Sequence, residues 1–125
     1  TRYKSNELKC IQEEENGKLY DCVITSRFDV GYHNHGKNKT SYIDFNIKND
    51  LNSIYSAYWD QINAGISDHW FYGNSKDIDT VCNILKKYPD HYCLNNHCLY
   101  KWHFYQNDFW NLNKCKFLNK ELWNV

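Results

Sequence analysis

"DLNSIYSAYWDQINAG" (residues 50–65) places Leu51, Ile54, Tyr55, Tyr58, Trp59 and Ile62 on one face at helical spacing. Asp50 is a ready N-cap and Gly65 a ready stop. The spacing predicts an amphipathic helix, and that helix turns the whole chain toward an α-helical domain. Downstream, "SKDIDTVCNILKKY" (75–88) predicts a second helix with Ile78, Val81, Cys82 and Leu85 on one face and Ser75 or Asp77 as its cap. Pro89 ends it, because proline lacks a donor and disfavours the helical region for the preceding residue.

Two further segments extend the pattern. In 90–107, Tyr92, Asn96, Leu99 and His103 line one side of a helix, with Cys93, Tyr100 and Phe104 beside them. In 107–123, Leu112, Cys115, Leu118 and Leu122 repeat behind Asn107 or Asp108 as a cap. The amino-terminal part admits two readings. Asn16-Gly17 is a two-residue hairpin signal, while the run of Glu13, Glu14 and Glu15 favours helix and reads as a solvated face. Residues 43–47 alternate Ile43, Phe45 and Ile47 as a short strand would. The expected fold is therefore mainly α: a small, disulfide-stapled helical domain over residues 1–125, read as a duplicated helical hairpin. The alternative is α+β, with an N-terminal β-hairpin about Asn16-Gly17.

Composition narrows the function classes. Lysine plus arginine equals aspartate plus glutamate at fifteen each among 125 residues, which disfavours a general nucleic-acid binder. No apolar run is long enough to span a membrane. The chain begins at Thr1 without a signal-peptide pattern and reads as a mature, processed product. Six cysteines are the even count of a disulfide framework in an oxidising compartment, so the expected localisation is secreted and extracellular. The simplest pairing joins Cys10 with Cys22, Cys82 with Cys93 and Cys98 with Cys115, one of fifteen connectivities. The rival use of that sulfur is zinc held by Cys93, His97, Cys98 and His103, but no paired C-x-x-C knuckle is present and no cofactor is expected. Asn38 heads the one glycosylation sequon, in the polar loop "YHNHGKNKTS" (32–41).

Two sets of residues carry candidate function. Eleven tyrosines, five tryptophans and six phenylalanines exceed what a small core hides, so some rings should form a recognition surface while most fill the core. The candidate surface is Trp70, Phe71, Tyr72, Trp102, Phe109 and Trp110, offered to a partner protein or glycan. The second set is His33 and His35 beside Lys37 and Lys39, with His69 as a distant partner. Paired histidines and a cation are what acid–base cleavage of a phosphodiester needs.

Cys10, Tyr20 and Cys22, then Cys82, Tyr92 and Cys93, form a paired cysteine–tyrosine–cysteine pattern. That pattern resembles the bicycle family of aphid salivary effectors, with Cys98 and Cys115 lying outside the two motifs. The resemblance implies a small secreted protein that acts on a plant host, with no catalytic residues to carry over. The function expected from the sequence is thus a secreted, non-catalytic effector or toxin-like protein that binds a host macromolecule. The alternative is a small secreted nuclease or hydrolase using histidine acid–base chemistry.

Overall fold

The computed structural model describes residues 2–27, 43–59, 65–87 and 95–120. In chain order the elements are α1 (Arg2–Asn16), β1 (Val23–Ser26), β2 (Ile54–Ala57), β3 (Trp70–Gly73), α2 (Ser75–Cys82), α3 (Ile84–Lys87), α4 (Asn96–Gln106) and β4 (Cys115–Leu118). The strands form one sheet in the order β1-β3-β2-β4. β3 is antiparallel to both β1 and β2, and β2 is parallel to β4. The chain is α+β, and the mainly α expectation is overturned. Among the described residues no helix is long and apolar enough to cross a membrane.

The correction begins at residues 50–65. Ile54, Tyr55, Ser56 and Ala57 are a central strand with all four residues buried. Successive side chains of a strand point to opposite faces, and here both faces are covered. Ile54, Phe71 and Cys115 pack under the helices with Ile78, Val81, Leu99 and Phe104. Tyr55, Ala57, Trp70 and Tyr72 pack on the other face. A strand buried on both sides shows no alternation of apolar and polar residues, so helical spacing was the only periodicity left to see.

The second face is built from rings. Tyr72 stacks on Tyr55 at 4.8 Å and on Trp70 at 5.9 Å, and Phe45 meets it edge-on at 5.2 Å. The Tyr72 hydroxyl accepts from Asn49 and donates to the Asp44 carbonyl, so the segment 43–50 lies over the rings. That segment is irregular, not the strand its alternation suggested.

The ends of the elements explain the other departures. Asn16-Gly17 closes α1 instead of a hairpin. Gly17 sits at φ 65°, its N–H bonds the Glu14 carbonyl, and the Lys18 N–H bonds the Glu13 carbonyl. This is the helix stop that a left-handed glycine makes. The helix expected over 75–88 forms, but it is capped by Asn74 and broken at Asn83. α4 begins at its Asn95 cap and buries Leu99, Tyr100, His103 and Phe104. The tail helix expected over 107–123 does not form among its described residues, 107–120. Asp108 and Asn113 take positive φ, which ends helical propagation, and Cys115–Leu118 leaves as β4.

Candidate functional site

α1 docks through polar groups. Its buried residues are Asn6 and Glu13. Between them the Lys9 ammonium reaches Glu13 Oε2 at 2.7 Å, Asp79 Oδ1 at 3.0 Å and Ser75 Oγ at 2.5 Å. Three acceptors satisfy its three donors. Ser75 and the Tyr20 N–H donate to Glu13 Oε1, and Asn6 and Cys10 donate to Asp79 Oδ1. Burial alone would lower the Lys9 pKa, but the bonds to Glu13 and Asp79 outweigh it and hold the ammonium above its ordinary value. A charged lysine is no base for the neighbouring serine. This Ser–Lys contact is a structural clamp and not a nucleophile pair.

The clamp holds α1 beside the sheet edge and leaves a groove of about 310 Å³ between α1 and β1. Arg2, Asn6 and Lys9 form one wall, Val23, Ile24 and Thr25 the other, and Ile78 and Cys82 the floor. Among the described residues no carboxylate lines it. Burial pushes the Cys82 thiol up to about 11, so the floor is a neutral thiol at physiological pH.

Among the described residues β1 stands at the edge of the sheet, with β3 its neighbour on one side. Arg27 N–H donates to the His69 carbonyl at 2.9 Å, which extends the β1–β3 register by one hydrogen-bonded pair. Bonded and unbonded pairs alternate in an antiparallel ladder. Residues 23, 25 and 27 therefore face β3, while Ile24 and Ser26 turn their N–H and C=O groups outward. Both are exposed.

At one end of the groove the Arg2 guanidinium donates to the Tyr100 hydroxyl at 2.7 Å and the Asp68 carbonyl at 2.8 Å. It lies over the rings of Phe71 and Tyr100. Behind it the Asp68 carboxylate faces Arg27 at 3.3 Å, Asn96 at 3.4 Å and His97 at 3.8 Å. His97 Nδ1 is 3.0 Å from the Ile66 carbonyl. A carbonyl only accepts, so in the neutral ring Nδ1 carries the proton and Nε2 keeps the lone pair. Trp59 stacks on His97 at 4.7 Å and meets His69 edge-on at 5.9 Å. Gly65 lets α4 approach: at φ 85°, a Cβ there would lie 2.4 Å from the His97 carbonyl.

The residues singled out in the sequence are dispersed. Trp70, Phe71, Tyr72 and Phe109 are buried, so they fill the core and offer no contact surface. Trp102 and Trp110 are half-buried, and Trp110 stacks with Tyr105 at 5.2 Å and lies under Lys101. His33, His35 and Asn38 lie outside the described residues, while His69 stands in the Trp59–His97 group. Cys10, Cys22, Cys82, Cys98 and Cys115 carry free thiols, and Cys93 is outside the described residues. The bridges expected between Cys10 and Cys22 and between Cys98 and Cys115 are thus not formed here. Cys10 points to Asp79 on α2, whereas Cys22 packs against the ring cluster on the far face of the sheet.

Nor do the described members of the rival zinc set, His97, Cys98 and His103, converge. His103 is buried, donates through Nε2 to the Thr80 carbonyl at 2.7 Å and meets Asn107 through Nδ1. No metal-binding group of three His, Cys, Asp or Glu side chains exists among the described residues.

The groove-wall residues Arg2, Asn6 and Lys9, and the clamp residue Glu13, escaped sequence reading. Their spacing of four, three and four is a helical stripe, but it is polar, and buried stripes are sought among apolar residues. Neither protein-family models, curated proteins nor solved structures match the chain.

Proposed function

We propose that the protein is a binding module that takes an extended segment of a partner protein into the α1–β1 groove by adding it as a strand to β1. The observation that carries this reading is the outward-facing backbone of Ile24 and Ser26 beside a helix-walled groove. Main-chain hydrogen bonds to such an edge give affinity, and alternate side chains entering a groove give specificity. The reading keeps the non-catalytic, host-binding role implied by the sequence and moves its surface from the aromatic segments to the groove. An array of heptapeptides varied at alternate positions tests it. Peptides that bind should shift the amide resonances of residues 22–27. Ile24→Pro removes an outward N–H without removing a β1–β3 bond, so it should abolish binding while the protein stays folded. Binding unaffected by that substitution would sink the strand-addition reading.

A second reading is favoured by His97. Its Nδ1–H is committed to Ile66, Asp68 lies beside it, and Nε2 is left as an acceptor. This is the polarity a general base needs. It relocates the histidine hydrolase from His33 and His35 to His97, with His69 nearby. Hydrolysis of a chromogenic phosphodiester, lost in His97→Gln, would establish it, and no turnover by the folded wild-type protein would dismiss it.

A further inference from the structure

The groove has a cation at one end whose charge nothing in the described protein answers. Arg2 is half-buried and its described partners are the Tyr100 hydroxyl and the Asp68 carbonyl, both neutral oxygens. Among the described residues no carboxylate pairs with it. Lys9, the other cation of the groove, is different, because Glu13 and Asp79 neutralise it. A guanidinium has five N–H donors in a planar fork, and two bonds leave part of that fork unused. The rings of Phe71 and Tyr100 hold its orientation. A partly desolvated, pre-oriented guanidinium facing neutral oxygens is a receptor for an anion.

We infer that the segment bound along β1 is acidic, and that an Asp or Glu side chain of the partner forms a bidentate ion pair with Arg2. This deepens the strand-addition reading and rests on it. A side-chain carboxylate is the source the site fits. It matches a single guanidinium fork, whereas a chain-terminal carboxylate is usually captured by converging backbone N–H groups. The apolar floor of Ile78 and Cys82 takes a neighbouring apolar side chain, so acidic and apolar residues should alternate in the bound segment.

The heptapeptide array supplies the probes. Its tightest binder is synthesised as three forms: the parent with its ends capped, a twin with every Asp or Glu changed to its amide, and a form with a free terminal carboxylate. Binding is read by fluorescence anisotropy and by the amide shifts of residues 22–27. For the wild-type protein, the capped parent should bind at least about tenfold tighter than the amide twin. That ratio should shrink as salt rises. In Arg2→Gln, which keeps donors for Tyr100 and Asp68, the ratio should fall to about one while the twin's own affinity stays unchanged. Arg2→Lys, which keeps the charge without the fork, should retain an intermediate ratio. Circular dichroism of each variant establishes that it is folded, and the wild-type salt series stands without any variant.

A tight parent without acidic residues, a ratio unmoved by Arg2→Gln, or a requirement for the free terminal carboxylate would each overturn the acidic-side-chain inference. Each would leave strand addition standing, because the β1 shifts remain. Absence of β1 shifts with any peptide overturns both.

Discussion

Helix α1 buries Asn6 and Glu13 and turns Leu8 and Ile11 to solvent, whereas β3 buries Trp70, Phe71 and Tyr72 completely. β3 packs by dispersion and the removal of apolar area from water, which carry no titrating group of their own and no ion pair for salt to screen. α1 is held by a clamp of charges whose attraction must first offset the desolvation of Lys9 and Glu13. No α1 residue belongs to the described core clusters, whereas α1 is one wall of the groove. An ionic clamp is a poor source of net stability and a good source of position. The proposed binding site therefore belongs to the less robust part of the fold.

The largest effect should come from the dry side of this contrast. Phe71→Ala removes a ring fully buried under the helices and touching Tyr100 and Phe104. It should cost about 3–5 kcal/mol of unfolding free energy in urea titration. Lys9→Met should cost about 3 kcal/mol, because it strands the buried Glu13 carboxylate without its cation. Adding Glu13→Leu to Lys9→Met should recover most of that loss, since replacing a whole buried pair by apolar groups is often neutral. A double variant no more stable than Lys9→Met alone would mean that the clamp stabilises in its own right. The contrast between α1 and β3 would then collapse.

Acid should separate the two regions by pH window. Burial holds the His103 pKa below its ordinary 6.5, so the unfolded chain binds that proton more readily than the folded one. Stability from the core side is thus lost as pH falls below about 6.5 and the loss is complete once His103 is protonated in the folded state. For Glu13, burial alone would raise the pKa, but Lys9, Ser75 and the Tyr20 N–H outweigh it and hold the carboxyl below 4.5. Its contribution is present above that value and is lost as pH falls through the folded pKa. Thermal melts across pH should show two declines, and His103→Gln should remove the first alone.

How much of this was legible follows from what periodicity can report. α2 and α4 each expose one face, and their cores (Ile78, Val81 and Cys82 in one, Leu99 and His103 in the other) stood out at helical spacing. β2 and β3 have no exposed face, so "IYSA" and "WFYG" carried no strand signature. β4 was masked by Leu112, which completed a helical repeat with Cys115 and Leu118 although it is exposed in the turn before the strand. The clamp was hidden for a different reason. Glu13 looks like its neighbours Glu14 and Glu15; Lys9 stands one helical turn before it, but its burial is decided by Ser75, which no local pattern connects to it. Local sequence reports where a segment is amphipathic. It does not report which charged stripe meets a complementary one across the chain.

Gly17→Ala probes the stop of α1 with a smaller effect. A Cβ there would meet nothing within 4 Å, so the cost is that of a left-handed backbone alone. It should be about 1 kcal/mol in urea titration. The smallest change tests the inverted character of α1 directly. Leu8 is 70% exposed and Ile11 is 52% exposed, on the helix that hides Asn6 and Glu13. On an ordinary amphipathic helix, changing two apolar residues to glutamine would be severe. Here Leu8→Gln with Ile11→Gln should move stability by no more than about 0.5 kcal/mol, the range of surface substitutions. Both residues are helix formers and glutamine is another, so propensity changes little. A loss near that of a buried leucine would show that the outer face of α1 is covered in solution. Neutrality would leave the polar stripe of Arg2, Asn6, Lys9 and Glu13 as what fixes the helix, and with it the groove wall on which peptide binding depends.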